Sequence, residues 1–198
     1  MSAYRAGKPI WCDRGFYPLF ERLVEGFDDS QSGVLLVDVG GGLGHDLEEL
    51  VARYPSLPGK LVLQDRAELI STLGATDKYE ATAHDFFTPQ VVEHARAYYL
   101  HSVLHDWGDE DCLRILNALK PALKRGYSRI LLNEIVVSEQ RASLSATSMD
   151  QLMLVLGAMR ERTERQWREL LEKSGLGISK IWTYPGVAES LIEVELVV

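Results

Sequence analysis

The stretch Leu35–Asp46, LLVDVGGGLGHD, decides how this chain is read. Apolar residues around a single acid, Asp38, run directly into glycines at 40, 41, 42 and 44, and a helix-compatible segment follows. A buried strand that ends in a turn without β-carbons lets a ligand approach the backbone closely. Such turns serve several cofactors, so the register has to narrow the choice. The dinucleotide fingerprint G-x-G-x-x-G fails twice. Counted from Gly40, its last glycine falls on His45; counted from Gly42, on Leu47. No lysine follows that could serve a phosphate-binding loop. What remains is an acid, a spacer and G-x-G-x-G (Asp38, Val39, Gly40, Gly42, Gly44), which favours a ligand without a pyrophosphate.

Outward from this turn, strands and helices alternate. Short apolar runs at Lys60–Gln64 (ending in Asp65), Ala97–Leu100 and Arg129–Leu132 read as strands. Asp46–Tyr54 places Leu47, Leu50 and Val51 on one helical face and stops before Pro55. Asp111–Leu123 does the same with Leu113, Leu116, Leu119 and Leu123. Near the end, a helix over Arg165–Ser174 closes at Gly175. Ile178–Tyr184 and Ser190–Val197 then form two strands around Pro185-Gly186. The expectation is an α/β domain over residues 34–198, with a mostly parallel sheet covered on both faces and a C-terminal antiparallel hairpin. Residues 1–33 are expected to be a helical lead-in packed on that domain, with Phe16, Leu19, Phe20, Leu23 and Phe27 at helical spacing.

Composition excludes several classes. The 198 residues, 46% hydrophobic, suffice for one domain with a substantial core. A net charge of −8 argues against general binding to nucleic acid or to an anionic membrane. Cys12 and Cys112 offer neither a disulfide framework nor metal-ligand spacing, so no metal is expected and a reducing compartment fits. No apolar run approaches the ~20 residues of a membrane span. The first residues, MSAYRAGKPIWCDRG, lack an apolar signal core, so a cytoplasmic protein is expected.

Two further places carry chemistry. Asp65 ends the second strand 25 residues beyond Gly40, where a carboxylate can accept both hydroxyls of a ribose; a solvated loop acid is the competing reading. His84-Asp85-Phe86-Phe87 offers an acid and an aromatic for an adenine, against a plain loop with two core aromatics. The succession of glycine turn, acid and acid-aromatic is stronger than its parts.

With these stand Tyr99–Cys112, YLHSVLHDWGDEDC, and Arg160-Glu161-Arg162-Thr163. Together they closely resemble the S-adenosylmethionine-dependent O-methyltransferases of small molecules, the caffeate type, and especially fungal members of secondary metabolism. The H-D-W-x-D-x-x-C segment is the most specific part, and the resemblance runs over about residues 5 to 198.

The resemblance implies a Rossmann-like class I methyltransferase fold with a seven-stranded sheet. It implies His105 as the general base that takes a phenol or enol proton, with Glu134 and Glu161 as the carboxylates that orient it. Gly40, Gly41 and Gly42 would lie against the methionine portion of S-adenosyl-L-methionine, Asp65 at its ribose, and Asp85 with Phe86 at its adenine. Trp107 either stacks on that ring or is core. His101 occupies a position where many relatives carry a lysine or arginine that closes over the cofactor. Met149, Asp150 and Met153, with Met159, fall on the stretch that lines the acceptor pocket in relatives, although a Met-bearing apolar stripe is equally a core helix.

The activity implied is methyl transfer to a hydroxyl of a small aromatic or polyketide-like molecule. A non-methylating module that binds S-adenosylmethionine is the alternative. An NAD-linked dehydrogenase is disfavoured by the failed fingerprint. Relatives dimerise through a long N-terminal helical domain that also helps wall the acceptor pocket. This chain is expected to begin at about the junction between that domain and the catalytic one.

Overall fold

A computed structural model of the chain describes residues 9–138 and 161–197. Five strands run parallel: β1 (Val34–Val39), β2 (Lys60–Asp65), β3 (Glu80–Ala83), β4 (Ala97–His101) and β5 (Arg129–Val137). A two-residue strand, β6 (Arg162–Thr163), pairs with the far end of β5, Val136 opposite Arg162. The hairpin β7 (Leu176–Thr183) and β8 (Glu189–Leu196) closes the sheet antiparallel, with β8 against β5. The order is β3-β2-β1-β4-β5-β8-β7, so seven strands follow one path and β6 lies beside it. The expected parallel sheet with a terminal hairpin is what forms.

Alternation along the central strands feeds two hydrophobic layers. On β1, Val37 and Val39 enter one and Leu36 the other; on β5, Ile130 and Leu132 oppose Leu131. Both faces are therefore covered, as parallel strands require. Helix α1 (His45–Arg53) buries Leu47 and Leu50 on one side. After a short α2 (Ala67–Ile70), helix α3 (Asp109–Leu119) buries Cys112, Ile115, Leu116 and Leu119 on the other. Helix α4 (Glu164–Lys173) adds Trp167, Leu170 and Leu171 to that second side. It starts in a capping box: Thr163 accepts the Gln166 N–H, and the Gln166 side chain accepts the Thr163 N–H.

The structure departs from the sequence pattern in three places. Of the helical spacing at 16–27, only a single π-type turn forms, at Phe20–Val24. Packing, not periodicity, holds this stretch. Trp11 stacks on Tyr99 with ring centroids 4.7 Å apart, and Arg96 donates to the carbonyls of Arg22, Leu23 and Glu25. Strand β3 has no apolar run because every residue of it is exposed at the sheet edge. Strand β5 continues five residues past the apolar run, through Asn133 and Glu134, which are polar yet buried.

Candidate active site

Strand order reverses between β2-β1 and β4-β5, and the carboxyl ends of these strands border a crevice at that switch point. The glycine turn leaves β1 here. Gly40, Gly42 and Gly44 have φ of +74°, +61° and +78°, the left-handed region that glycine enters without steric cost. Gly40 and Gly41 donate to the carbonyl of Gln64, tying the turn to β2. Behind that carbonyl, the Gln64 and Gln90 side chains exchange two amide hydrogen bonds of 2.9 and 2.8 Å. A β-carbon on Gly41 would lie 2.4 Å from the Asp38 carboxylate, whereas one on Gly42 would meet nothing within 4 Å. One face of the turn is packed shut and the other is open.

Asp65 is bonded to this turn. Its Oδ2 accepts the Gly42 N–H at 2.9 Å and its Oδ1 accepts the Arg66 N–H at 2.7 Å. The cleft beyond has a volume of about 630 Å³ and is bordered by Asp65, His84, Asp85, Phe86, Phe87 and Trp107, among others. Asp85 turns back on its own loop, its Oδ1 accepting the Phe87 N–H at 3.0 Å. Trp107 meets Phe86 and Phe87 edge-on, with centroids 6.0 and 4.8 Å apart, and packs on the core layer behind them. It is both cleft wall and core contact.

After β4 the chain bends at Ser102, whose φ of +52° is rare for a non-glycine residue, and enters a 3₁₀ turn at Leu104–Asp106. This delivers His105 into a buried cluster. Its Nδ1 lies 3.2 Å from Glu161 Oε1 and 3.9 Å from Glu134 Oε2, while Nε2 lies 3.3 Å from Asp106 Oδ1. A carboxylate only accepts, so the shorter bond, to Glu161, assigns a proton to Nδ1, while Asp106 is the carboxylate that faces Nε2. Glu134 reaches the site from β5, and its Oε1 also accepts the N–H groups of Val103 and Leu104 at 3.0 and 2.8 Å.

In so dry a place Glu134 and His105 both shift. Burial of Glu134 pushes its carboxyl up to about 7; His105 and the Leu104 N–H oppose that rise, and Glu161 adds to it. Burial acts to lower the His105 pKa, but the Glu161 hydrogen bond and the charges of Glu134, Glu161 and Asp106 outweigh it. The net shift is upward.

His101 stands at the end of β4. Its Nδ1 sits 2.7 Å from Asp46 Oδ2 at the start of α1, and Nε2 sits 3.8 Å from Glu189 Oε1. Asp46 was not singled out in the sequence, because nothing along the chain signals a partner 55 residues away. Arg162, which enters the sequence reading only as part of the Arg160–Thr163 segment, is wholly buried. Met149, Asp150, Met153 and Met159 lie outside the described residues.

A sequence model of the O-methyltransferase domain matches residues 19–177. Over 198 residues the chain is 59% identical to O-methyltransferase mpaG' of Penicillium brevicompactum, an alignment that covers 99% of this chain and 50% of that protein. It is 37% identical over 185 residues to demethylsterigmatocystin 6-O-methyltransferase stcP of Emericella nidulans, covering 93% of this chain and 88% of stcP. The structure of LepI in complex with SAM superposes with a TM-score of 0.83 at 33% identity, over 91% of this chain and 47% of LepI. The chain thus spans about half the length of mpaG' and LepI, and nearly all of stcP. With the match over 19–177 and the identity to stcP, the chain belongs to the O-methyltransferase family.

Proposed function

We propose that the chain binds S-adenosylmethionine and transfers its methyl group to a hydroxyl of a small aromatic or polyketide-like molecule, with His105 as general base. The observation that carries this reading is the buried His105–Glu161 contact at 3.2 Å, together with a glycine turn that is bonded to Asp65 and open at Gly42. A binding module has no use for a buried base with an orienting carboxylate. Residues 34–198 would form the cofactor-binding domain, and residues 1–33 its packed lead-in.

The residues fit the cofactor. Gly42 leaves room for a ligand against the backbone, Asp65 offers carboxylate oxygens for a diol, and Phe86 with Trp107 provides an aromatic wall for a purine. Gly40 and Gly41 would border the methionine portion and Asp85 the adenine edge. His101, held by Asp46, would stand at the carboxyl end of the central strand β4, between turn and base. Met149, Asp150 and Met153 are proposed for the acceptor side.

When bound, the cofactor would supply an electrophilic methyl group on a sulfonium, whose sulfur would keep the electron pair of the broken S–C bond and leave as a neutral thioether. Everything else falls to the chain. Nε2 of His105, the nitrogen not bonded to Glu161, takes the acceptor's hydroxyl proton as the oxygen forms its new bond to carbon. The resulting imidazolium is stabilised by Glu161 at Nδ1 and by the nearby Glu134. Glu134 and Glu161 also fix the ring's orientation, so that much of the rate advantage comes from positioning.

The test is calorimetric binding of S-adenosylmethionine to the full chain, followed by transfer of labelled methyl to a panel of phenolic and enolic acceptors. Binding with transfer to at least one acceptor is expected. Binding without transfer to any would favour the non-methylating module instead, and NAD binding without S-adenosylmethionine binding would overturn both readings.

A further inference from the structure

The turn that carries His105 is held at both ends by side chains outside it. At its entry, Glu134 Oε1 accepts the Val103 and Leu104 N–H groups. At its exit stands Arg162, with no exposed surface. Its Nη1 donates to the Leu104 carbonyl at 3.0 Å and its Nη2 to the Trp107 carbonyl at 2.9 Å. Nε and Nη2 also reach Asp109 Oδ1 at 3.1 and 2.9 Å. The Cys112 thiol, kept protonated by burial that pushes its pKa up to about 11, lies 3.2 and 3.4 Å from the same two carbonyl oxygens and can donate its one S–H to either. The guanidinium lies 5.2 Å from the Trp167 ring of α4. A planar fork with five donors satisfies this set, and an ammonium on a flexible stem cannot.

Arg162 is also the residue next to Glu161, and it pairs with Val136 at the end of β5. Fixing Arg162 against the Leu104 and Trp107 carbonyls therefore fixes the backbone from which Glu161 projects. We propose that Arg162 is a positioning residue that sets Glu161 against Nδ1 of His105 and joins the base to the cleft wall at Trp107. The consequence for rate rests on the reading of His105 as base; the positioning itself does not.

Among the described residues, three charged groups face the His105 ring: Glu161 ahead of β6, Glu134 from β5 and Asp106 from the same turn. Of these, the Glu161 contact depends most directly on Arg162, which holds both the turn and the residue next to Glu161. If the fork is lost, the turn and the 161–163 segment part and the Glu161 bond lengthens. The imidazole then loses part of what holds its proton.

The experiment is an NMR titration of the His105 ring in the full chain, with the resonance assigned by His105→Gln. Wild type is compared with Arg162→Lys and with Asp109→Asn, and thermal unfolding is recorded for each. The expected result is a fall of the His105 midpoint by roughly half a unit or more in Arg162→Lys, and a smaller fall of the same sign in Asp109→Asn. A lowered Tm with an unmoved midpoint would make Arg162 a fold residue only and overturn the proposal. Should Arg162→Lys not fold, Asp109→Asn decides by the same criterion. The titration needs no turnover. A wild type that transfers no methyl group would therefore sink the proposed activity without touching this result, and an unmoved midpoint would sink the positioning role without touching the activity.

Discussion

Oδ2 of Asp65 accepts the backbone N–H of Gly42 at 2.9 Å, so the acid that ends β2 and the third glycine after β1 form one continuous wall. Oδ1 is held by the Arg66 N–H, which leaves each oxygen with capacity to accept once more. A vicinal diol is the natural partner for two such oxygens. Asp65→Asn keeps the shape but removes the charge and one acceptor. The dissociation constant for S-adenosylmethionine should weaken by roughly 10- to 100-fold, as expected for a lost charge-assisted pair. Calorimetry measures this, and an unchanged constant would remove Asp65 from the ribose site.

Gly41 and Gly42 should respond differently to the same substitution. Gly41→Ala drives a methyl into the Asp38 carboxylate and to 2.5 Å from Leu63 Cδ1, and should cost about 2 kcal/mol or more of folding stability. Gly42→Ala meets open space and pays only for its φ of +61°, about 1 kcal/mol. The Gly42 variant should therefore fold well yet lose cofactor affinity. Thermal unfolding paired with calorimetry checks the contrast, which fails if both variants fold and bind alike.

Stability should fall from mildly acidic to neutral pH. The Glu134 carboxyl is raised from 4.5 to about 7, so the folded chain holds a proton the unfolded chain has released across that window. The raised His105 acts in the same direction, its contribution present below its ordinary pKa and lost as pH rises through the folded value. Glu193, held below its ordinary range because Arg22, Arg129 and Tyr17 outweigh its burial, works oppositely and is lost only as pH falls through its lowered value. In Glu134→Gln the decline of Tm between about pH 5 and 7 should flatten, with the amide oxygen still able to accept the Val103 and Leu104 N–H groups. A slope identical to wild type would contradict the assignment.

The fully buried Glu193 on β8 gathers Tyr17, Arg22 and Ser179, with Arg129 Nη1 3.6 Å away, and thereby pins the 9–33 segment to the sheet. Removing its charge leaves Arg22 and Arg129 with Glu195 as their remaining carboxylate. Arg22 is one-third exposed, so the usual cost of breaking a buried pair is reduced. Glu193→Gln should lose about 2–3 kcal/mol in denaturant unfolding, with amide exchange rising first around Leu19–Leu23. Uniform exchange across the chain would argue against a local clamp.

How much of this was legible in the sequence depends on whether the signal was local. The glycine turn, Asp65 and the alternation of strands and helices could be read because backbone conformation and period are encoded within a few residues. Glu134 and Glu161 became visible only through resemblance, since no spacing reveals that β5 and the residue before β6 meet at His105. Strand β3, with four exposed residues, carries no burial pattern at all. The lead-in shows the opposite failure. Phe16, Leu19 and Leu23 kept helical spacing because they share one buried face, but the backbone around them makes only one wide turn. Arg162 and Asp46 owe their surroundings entirely to tertiary contact.

The central claim is that His105 is the base of a methyl transfer. Its most direct test is single-turnover transfer by wild type and His105→Gln, with the S-adenosylmethionine dissociation constant measured on both. The account predicts nearly equal cofactor binding and a transfer rate lower by about 10² or more in the variant. Equal rates at equal occupancy would contradict it.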